Sequence, residues 1–269
     1  MDEFRENNQE HPENDEKSSE KLFFERSFEF PKVIKGKSGN IVLATDEGLK
    51  RNNEDVLVLD TDSDAFAVVD GMGGYELGEI AARVVGEAIE EDFKKPNADP
   101  VDLRSRAELQ MADEGVKKGG AVYLACRIEK DGEGLQVYKA GDAELIVVSG
   151  IGEDKGKIKF WSEPTPLNDA LSPSSSHYKA GKSKIERAEL KNYDYIIAAT
   201  DGLWKSVDKE EVAVIVAVTN DKIETALTKL YVEAIRNMKT EPTMGDRFGN
   251  CDNISIIIYQ ILPVPLREK

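Results

Sequence analysis

The stretch "DVLVLDTDSDAFAVVDG", Asp55 to Gly71, places two apolar runs on either side of a polar turn centred near Asp62 and Ser63. This pattern predicts a β-hairpin. Folding about that centre sets Val56 near Val69 and Asp55 opposite Asp70, and it delivers Glu54 beside them. Carboxylates clustered at the end of an apolar hairpin are costly without counter-charge: two unit charges about 4 Å apart repel by about 4 kcal/mol at an effective dielectric near 20. Such a cluster must protonate, spread apart or bind cations, and hard oxygen ligands suit Mg²⁺ or Mn²⁺. A solvated acidic turn is the plainer alternative in so acidic a chain.

The chain continues as "MGGYELGEIAA", and its glycines pose the question of phosphate against metal. A dinucleotide fingerprint would need glycine at position 76, which is Glu76. A Walker A loop started at Gly73 finds Gly78 correctly spaced, but Glu79 and Ile80 stand where Lys and Ser/Thr belong. Glu79 at the Lys place repels phosphate and Ile80 offers no hydroxyl, so a P-loop nucleotide hydrolase is disfavoured.

The same design recurs downstream. "YIIAATDGLW" runs an apolar strand into Asp201 and Gly202, and "CDNISIIIYQI" puts Asp252 at the start of a strand. If those two strands are antiparallel, both aspartates fall at one edge of a sheet. Asp70, Asp201, Asp252 and the pair Glu54/Asp55 then converge on one site.

Composition narrows the classes further. The 269 residues include 52 acidic and 36 basic ones, for a formal charge of -16. That sign is wrong for a nucleic-acid backbone or an anionic membrane, and the longest apolar runs fall short of a membrane span. Cys126 and Cys251 have no CxxC spacing, so neither a disulfide framework nor a structural zinc site is expected, and the compartment is expected to be reducing cytoplasm. His11 and His177 are the two histidines, which leaves a Ser-His-Asp triad resting on one histidine in a loop.

Residues 1–25 read as a disordered acidic tail, since they carry too few apolar groups to offset the entropy of ordering. Strands are predicted at 41–45, 55–60, 65–70, 120–128, 135–140, 144–149, 157–161, 184–190, 194–200 and 253–261. Three- and four-residue apolar spacing predicts helices over 77–89 and 223–235, and Asp208 and Glu211 have capping-box spacing before a third. The segment 101–117 has a poor stripe and only a weak helical signal. Strands mixed with two blocks of helices suggest packed antiparallel sheets covered by helices. The Pro- and Ser-rich stretch 163–183 is expected to be a surface loop long enough to form a lid.

Taken in order, "NNED", "VVDGMGGYELGEIAA", "AATDGLW" and "CDNIS" resemble the motifs of the metal-dependent PPM family, the type 2C protein serine/threonine phosphatases, over about residues 40–262. The resemblance implies an α/β (α+β) fold, a four-layer α-β-β-α sandwich over residues 30–265. It also implies two Mn²⁺ or Mg²⁺ ions between the sheets, with a weaker third. Carried over by motif, Asp70 bridges both ions, the Gly71 carbonyl helps to hold one, and Asp201 and Asp252 hold the other. Glu54 and Asp55 bind metal waters or act as direct ligands, and Asp142 serves the third position. The implied reaction is hydrolysis of phosphoserine or phosphothreonine in a phosphoprotein by a dimetal-activated water, without a protein nucleophile. A cytoplasmic monomer acting on phosphoproteins, with no nucleic-acid or membrane partner, is expected.

Several positions depart from the family pattern. Lys50, with Arg51 next to it, stands where the family has an arginine for substrate phosphate, and Lys lacks the bidentate fork. Met72 stands where some relatives carry a histidine, and it cannot protonate a leaving alkoxide. "KAGDAELIVV" keeps Gly141 and Asp142 of a Gly-Asp-Ser-Arg turn but has Ala143 and Glu144 after them. Lys50, Ala143 and Glu144, with a region between the first helix and Gly119 that is short for the family, motivate a second reading, a phosphatase-like regulatory or binding module with little or no turnover.

Overall fold

The structure, a computed structural model, describes residues 31–72, 76–95, 100–116, 119–172, 183–219, 222–238 and 252–263. In chain order the elements are β1 (Ile34–Lys35), β2 (Gly39–Asp46), β3 (Asp55–Asp60), β4 (Ala65–Met72), α1 (Glu76–Phe93), α2 (Pro100–Asp113), β5 (Gly120–Ile128), β6 (Gly134–Ala140) and β7 (Glu144–Val148). They continue as β8 (Ile158–Ser162), β9 (Lys184–Glu189), β10 (Tyr195–Ala199), α3 (Asp201–Trp204), α4 (Lys209–Val218), α5 (Ile223–Asn237) and β11 (Ile254–Ile261). One antiparallel sheet has the order β1-β2-β11-β10-β7-β8 and the other β3-β4-β5-β6-β9.

The strands read as continuous apolar runs because both of their faces are covered. In β4, Phe66 and Val68 join the core between the sheets, whereas Ala65, Ala67 and Val69 face α1 and α2. In β11, Ile257, Tyr259 and Ile261 point between the sheets, and Ile254, Ile256 and Ile258 face α3 and α5. The same alternation in β5, β7 and β10 yields three apolar layers and hence the α-β-β-α sandwich.

This parity also positions the polar residues. Counting by twos from Phe66 and Val68 puts Asp70 on the face between the sheets, and counting back from Leu57 does the same for Asp55. Thr200 follows Ile196 and Ala198, Ser255 precedes Ile257, and Thr45 follows Ile41 and Leu43, all on the interlayer side. The hairpin register is the expected one, with Asp55 opposite Asp70 and Val56 opposite Val69. Strands β10 and β11 are antiparallel as expected, with Ala199 opposite Ile256. Asp201 and Asp252 therefore lie at the same sheet edge.

Other expectations need correction. The weak segment is a full helix, α2, whose buried apolar residues among those described are Leu103, Ala107 and Met111, one per turn, so its stripe is too narrow to stand out. The capping box at Asp208 does not form: Asp208 occupies the N-cap position, but its side chain makes no capping hydrogen bond. Strand β1 and the single turn α3 carry too little pattern to be read from sequence.

The stretch expected to be a lid is anchored over its first half. Leu171 is fully buried and exchanges both main-chain hydrogen bonds with Ala121, at 2.9 Å each. Residues 173–182, with His177, lie outside the described residues, as do the N-terminal tail with His11 and Cys251. Cys126 is a buried free thiol.

Leu124 sits at the centre of the interlayer core with no exposure. Leu124→Ala is expected to lower the unfolding free energy by about 2–5 kcal/mol through lost burial and a residual cavity. Urea unfolding monitored by circular dichroism measures this, and a loss below about 1 kcal/mol would contradict the assigned packing.

Candidate metal centre

Asp70 ends the interlayer face of β4, and Asp55 begins β3 directly across the ladder. Gly71 permits the tight joint behind Asp70. A Cβ there would collide with the carbonyl oxygens of Gly78 and Glu54, so α1 could not approach the strand end this closely. From the other sheet, β10 hands over to α3 at Asp201, and Asp252 lies just before β11.

Asn253 ties the two sheets together here. Its Oδ1 accepts from the Glu54 N–H at 2.9 Å, and its Nδ2 donates to the carbonyls of Asn52 (2.8 Å) and Glu47 (3.1 Å). The segment carrying Glu54 and Asp55 is thereby held against the start of β11. Asp55 accepts a 2.9 Å hydrogen bond from Thr200 Oγ1, and the hydroxyls of Ser255 and Thr45 lie 2.7 Å apart beside it. Asn253, Thr200 and Ser255 were not picked out from sequence; the signal was a polar residue on the interlayer parity of an otherwise apolar strand.

Asp142 is set by the turn between β6 and β7. Gly141 has φ +101, a left-handed conformation suited to glycine. Its N–H donates to Thr165 Oγ1 at 2.8 Å, and its carbonyl accepts from the Thr165 N–H at 2.8 Å. Lys139, fully buried on the interlayer side of β6, donates to the carbonyls of Ala143 (2.8 Å), Glu163 (2.8 Å) and Ser162 (3.3 Å). Burial lowers its ammonium pKa to about 8. Ala143 joins the interlayer core, and Glu144, one residue on, faces the helices. There it accepts from Trp161 Nε1 and pairs with Lys209 at 3.1 Å.

Carboxylate oxygens of Asp70, Asp142 and Asp201 lie within 4.8 Å of one another. Asp252 pairs with Lys50 through Oδ1 and lies 3.7 Å from Lys205 Nζ through Oδ2. Lys205 also pairs with Asp201 Oδ2. Arg51 is exposed and pairs with none of these carboxylates, so the structure separates two neighbours that the sequence left joined. Lys205 went unnoticed in the sequence, although its four-residue spacing from Asp201 is the spacing of same-face helical neighbours.

Burial raises the Asp70 carboxyl well above the ordinary range, and Asp55, Asp201 and Asp252 add to the shift. Burial lifts Asp55 to about 7 against hydrogen bonds from Ser255 and Thr200. It lifts Asp201 to about 6, with Asp252 adding and Lys205 opposing. Glu54 and Asp142 also move up, chiefly through burial. For Lys50, burial works against the ammonium, yet Asp252 leaves its pKa raised.

Two buried oxygens, Glu54 Oε1 and Asp201 Oδ1, have no hydrogen-bond partner. Hard oxygen donors of Asp70, Asp142 and Asp201, close enough to share a cation and with Asp201 Oδ1 left unsatisfied, fit Mg²⁺ or Mn²⁺.

No protein-family model matches the chain. Among curated proteins it is 26% identical over 191 residues to "Probable protein phosphatase 2C 80" of Arabidopsis thaliana, covering 66% of this chain and 44% of that one. It is 27% identical over 157 residues to "Probable protein phosphatase 2C 71" of Oryza sativa subsp. japonica, covering 56% and 32%. The chain thus spans less than half the length of the curated relatives it matches. Among solved structures, RsbX in complex with magnesium matches with a TM-score of 0.61 at 18% identity, over 86% of this chain and 99% of that one. The catalytic domain of the serine/threonine phosphatase PstP in complex with two manganese ions matches with a TM-score of 0.60 at 18% identity, over 83% and 98%.

The raised carboxyl groups have a pH consequence when divalent cations are removed. Their folded-state pKa values exceed the unfolded value of about 3.9 for Asp, so the stability they contribute is complete below that pH. It is lost as pH rises through about 6 for Asp201 and about 7 for Asp55. Chelator-treated protein is therefore expected to melt at lower temperature at pH 8 than at pH 5, and saturating Mn²⁺ is expected to offset that loss. Differential scanning calorimetry decides it: a chelated melting temperature that climbs over this window would contradict the arrangement.

Proposed function

We propose that this chain, which has the PPM-type phosphatase fold and sequence similarity to type 2C phosphatases, is a metal-dependent serine/threonine phosphatase acting on phosphoserine or phosphothreonine in proteins. The observation that carries the reading is the convergence of Asp70, Asp142 and Asp201 from both sheets around buried, unsatisfied carboxylate oxygen. Asp70 and the Gly71 carbonyl would hold one of two Mn²⁺ or Mg²⁺ ions, and Asp201 and Asp252 the other. Glu54 and Asp55 are placed beside Asp70 to orient water, and Asp142 would also serve a weaker third ion. When bound, such cations lower the pKa of a water and offset charge on the phosphoryl group.

The chain's own residues do the rest. Asp55, hydrogen-bonded to Thr200, stays fixed at the ladder end and orients what binds at Asp70. Lys50 is the cation at the site entrance, about one-third exposed and directed at Asp252, so its ammonium can reach a substrate phosphoryl oxygen as a point charge. Met72 carries no proton to donate, so protonation of the leaving alkoxide falls to water. The phosphoprotein reading rests on the relatives. A cytoplasmic location fits the buried free thiol of Cys126 and the sparse cysteines, and a monomer is the simplest state. Among the described residues no helix is long and apolar enough to cross a membrane.

Mn²⁺-dependent release of phosphate from p-nitrophenyl phosphate and from phosphothreonine peptides tests the reading. Asp70→Asn and Asp201→Asn are each expected to reduce kcat by roughly 10²-fold or more, the scale of losing one charge-stabilising group. Unchanged activity in both would refute the site, and metal binding without turnover in the wild type would favour the regulatory module. For the entrance cation, Lys50→Met is expected to raise KM for a phosphopeptide more than it lowers kcat, with Lys50→Arg restoring affinity. Arg51→Ala is expected to alter neither; an Arg51→Ala variant as impaired as Lys50→Met would reverse that assignment.

A further inference from the structure

Lys205 and the carboxylates it touches belong to one small, rigid joint. It follows α3 directly, four residues after Asp201, and its N–H donates to the Asp201 carbonyl at 2.8 Å. Trp204 fastens the turn, its indole N–H lying 3.0 Å from the Ala199 carbonyl and 3.2 Å from that of Glu144. On this support the ammonium pairs with Asp201 Oδ2 and sits 3.7 Å from Asp252 Oδ2.

Two features set this contact apart from an ordinary surface ion pair. Asp201 is nearly closed off, at 12% side-chain exposure, whereas Lys205 is 51% exposed and approaches from solvent. The Lys205 side chain therefore meets solvent as well as the carboxylates. The charge is also unevenly spread: Asp252 has Lys50 on one oxygen and Lys205 near the other, and Lys205 also acts on Asp142 from farther off, while no salt bridge among the described residues ends on Asp70. Asp201 stands between the two regions, with Oδ2 held by Lys205 and Oδ1 buried without a partner.

We propose that Lys205 is a tethered counter-ion that covers the cation position between Asp201 and Asp252, so that a divalent ion binds there only by displacing it. The metal sites are then unequal. A cation held by Asp70 and the Gly71 carbonyl meets no ion pair on Asp70 among the described residues, whereas one at Asp201 and Asp252 must exchange an existing ion pair for its own. Lys205 thereby sets the divalent concentration at which the second position fills. The displaced ammonium remains on a short arm at the site entrance, so the exchange is reversible. This inference rests on the carboxylates being the metal ligands of the proposed phosphatase.

Isothermal titration of the chelator-treated 269-residue chain with Mn²⁺ tests it, followed in parallel by quenching of tryptophan fluorescence. The wild type is expected to show one tighter and one weaker event. Lys205→Met keeps the aliphatic arm without its charge and is expected to tighten the weaker event by at least about tenfold, the scale of removing one competing charge contact near the surface. Lys205→Arg should keep that event weak. Lys209→Met, which removes a neighbouring cation held by Glu144, should leave both events unchanged. Should Lys205→Met fail to fold, Lys205→Gln carries the same expectation. Equal or weaker Mn²⁺ binding in the folded Lys205 variants, with the wild type binding Mn²⁺ and hydrolysing phosphopeptide, overturns this inference and leaves the phosphatase reading intact. No Mn²⁺ binding by any of the proteins overturns both.

Discussion

Mutual repulsion among Glu54, Asp55, Asp70, Asp142, Asp201 and Asp252 is the constraint around which this end of the molecule is arranged. These carboxylates gather where the apolar interlayer stops, partly withdrawn from the water that would otherwise screen them. The surrounding structure answers the repulsion in three ways. Thr200 and Ser255 supply hydroxyl donors to Asp55. Lys50 and Lys205 bring positive charge to Asp252 and Asp201. One oxygen each of Glu54 and Asp201 stays buried without a hydrogen-bond partner, as the proposed divalent cation would require.

Such a cluster needs a stiff frame, because carboxylates free to move would separate. The two sheets provide it by ending their strands at the same place, and Asn253 couples them by serving main-chain groups on either side. The Asp142 turn is held from below by Lys139 and from the side by Thr165. Two departures from the family pattern are absorbed by this frame: Ala143 fills the interlayer, and Glu144 turns to the opposite face, where it braces Trp161 and Lys209. Asp142 keeps its place even though neither neighbour matches the familiar turn.

Legibility in the sequence followed the range of the interactions. The hairpin register, Asp55 opposite Asp70, could be read because a tight turn and a two-residue period leave no freedom over so short a distance. The wide stripes of α1 and α5 were plain, while α2, with one buried apolar residue per turn along Leu103, Ala107 and Met111, was faint. The capping spacing at Asp208 misled because N-cap position and side-chain bond are separate matters, and only the first is met. Composition marked 163–183 as loop, yet composition carries no information about pairing, and the pairing of Leu171 with Ala121 anchors its first half.

The candidate carboxylates were written in local patterns: strand-to-Asp-Gly junctions, an Asn-rich acidic approach and an Asp opening the last strand, each of which puts a carboxylate at a strand end whatever the rest of the chain does. Which cations face those carboxylates was not. Lys50 rather than its neighbour Arg51 turns to Asp252, and Lys205 reaches across from Asp201 to Asp252, because the juxtaposition of β11 with α3 and with the approach to β3 brings together residues some fifty to two hundred positions apart. Alternation along a strand is a property of neighbours and can be counted from sequence. The pairing of charges across two sheets depends on how the strand ends meet in space.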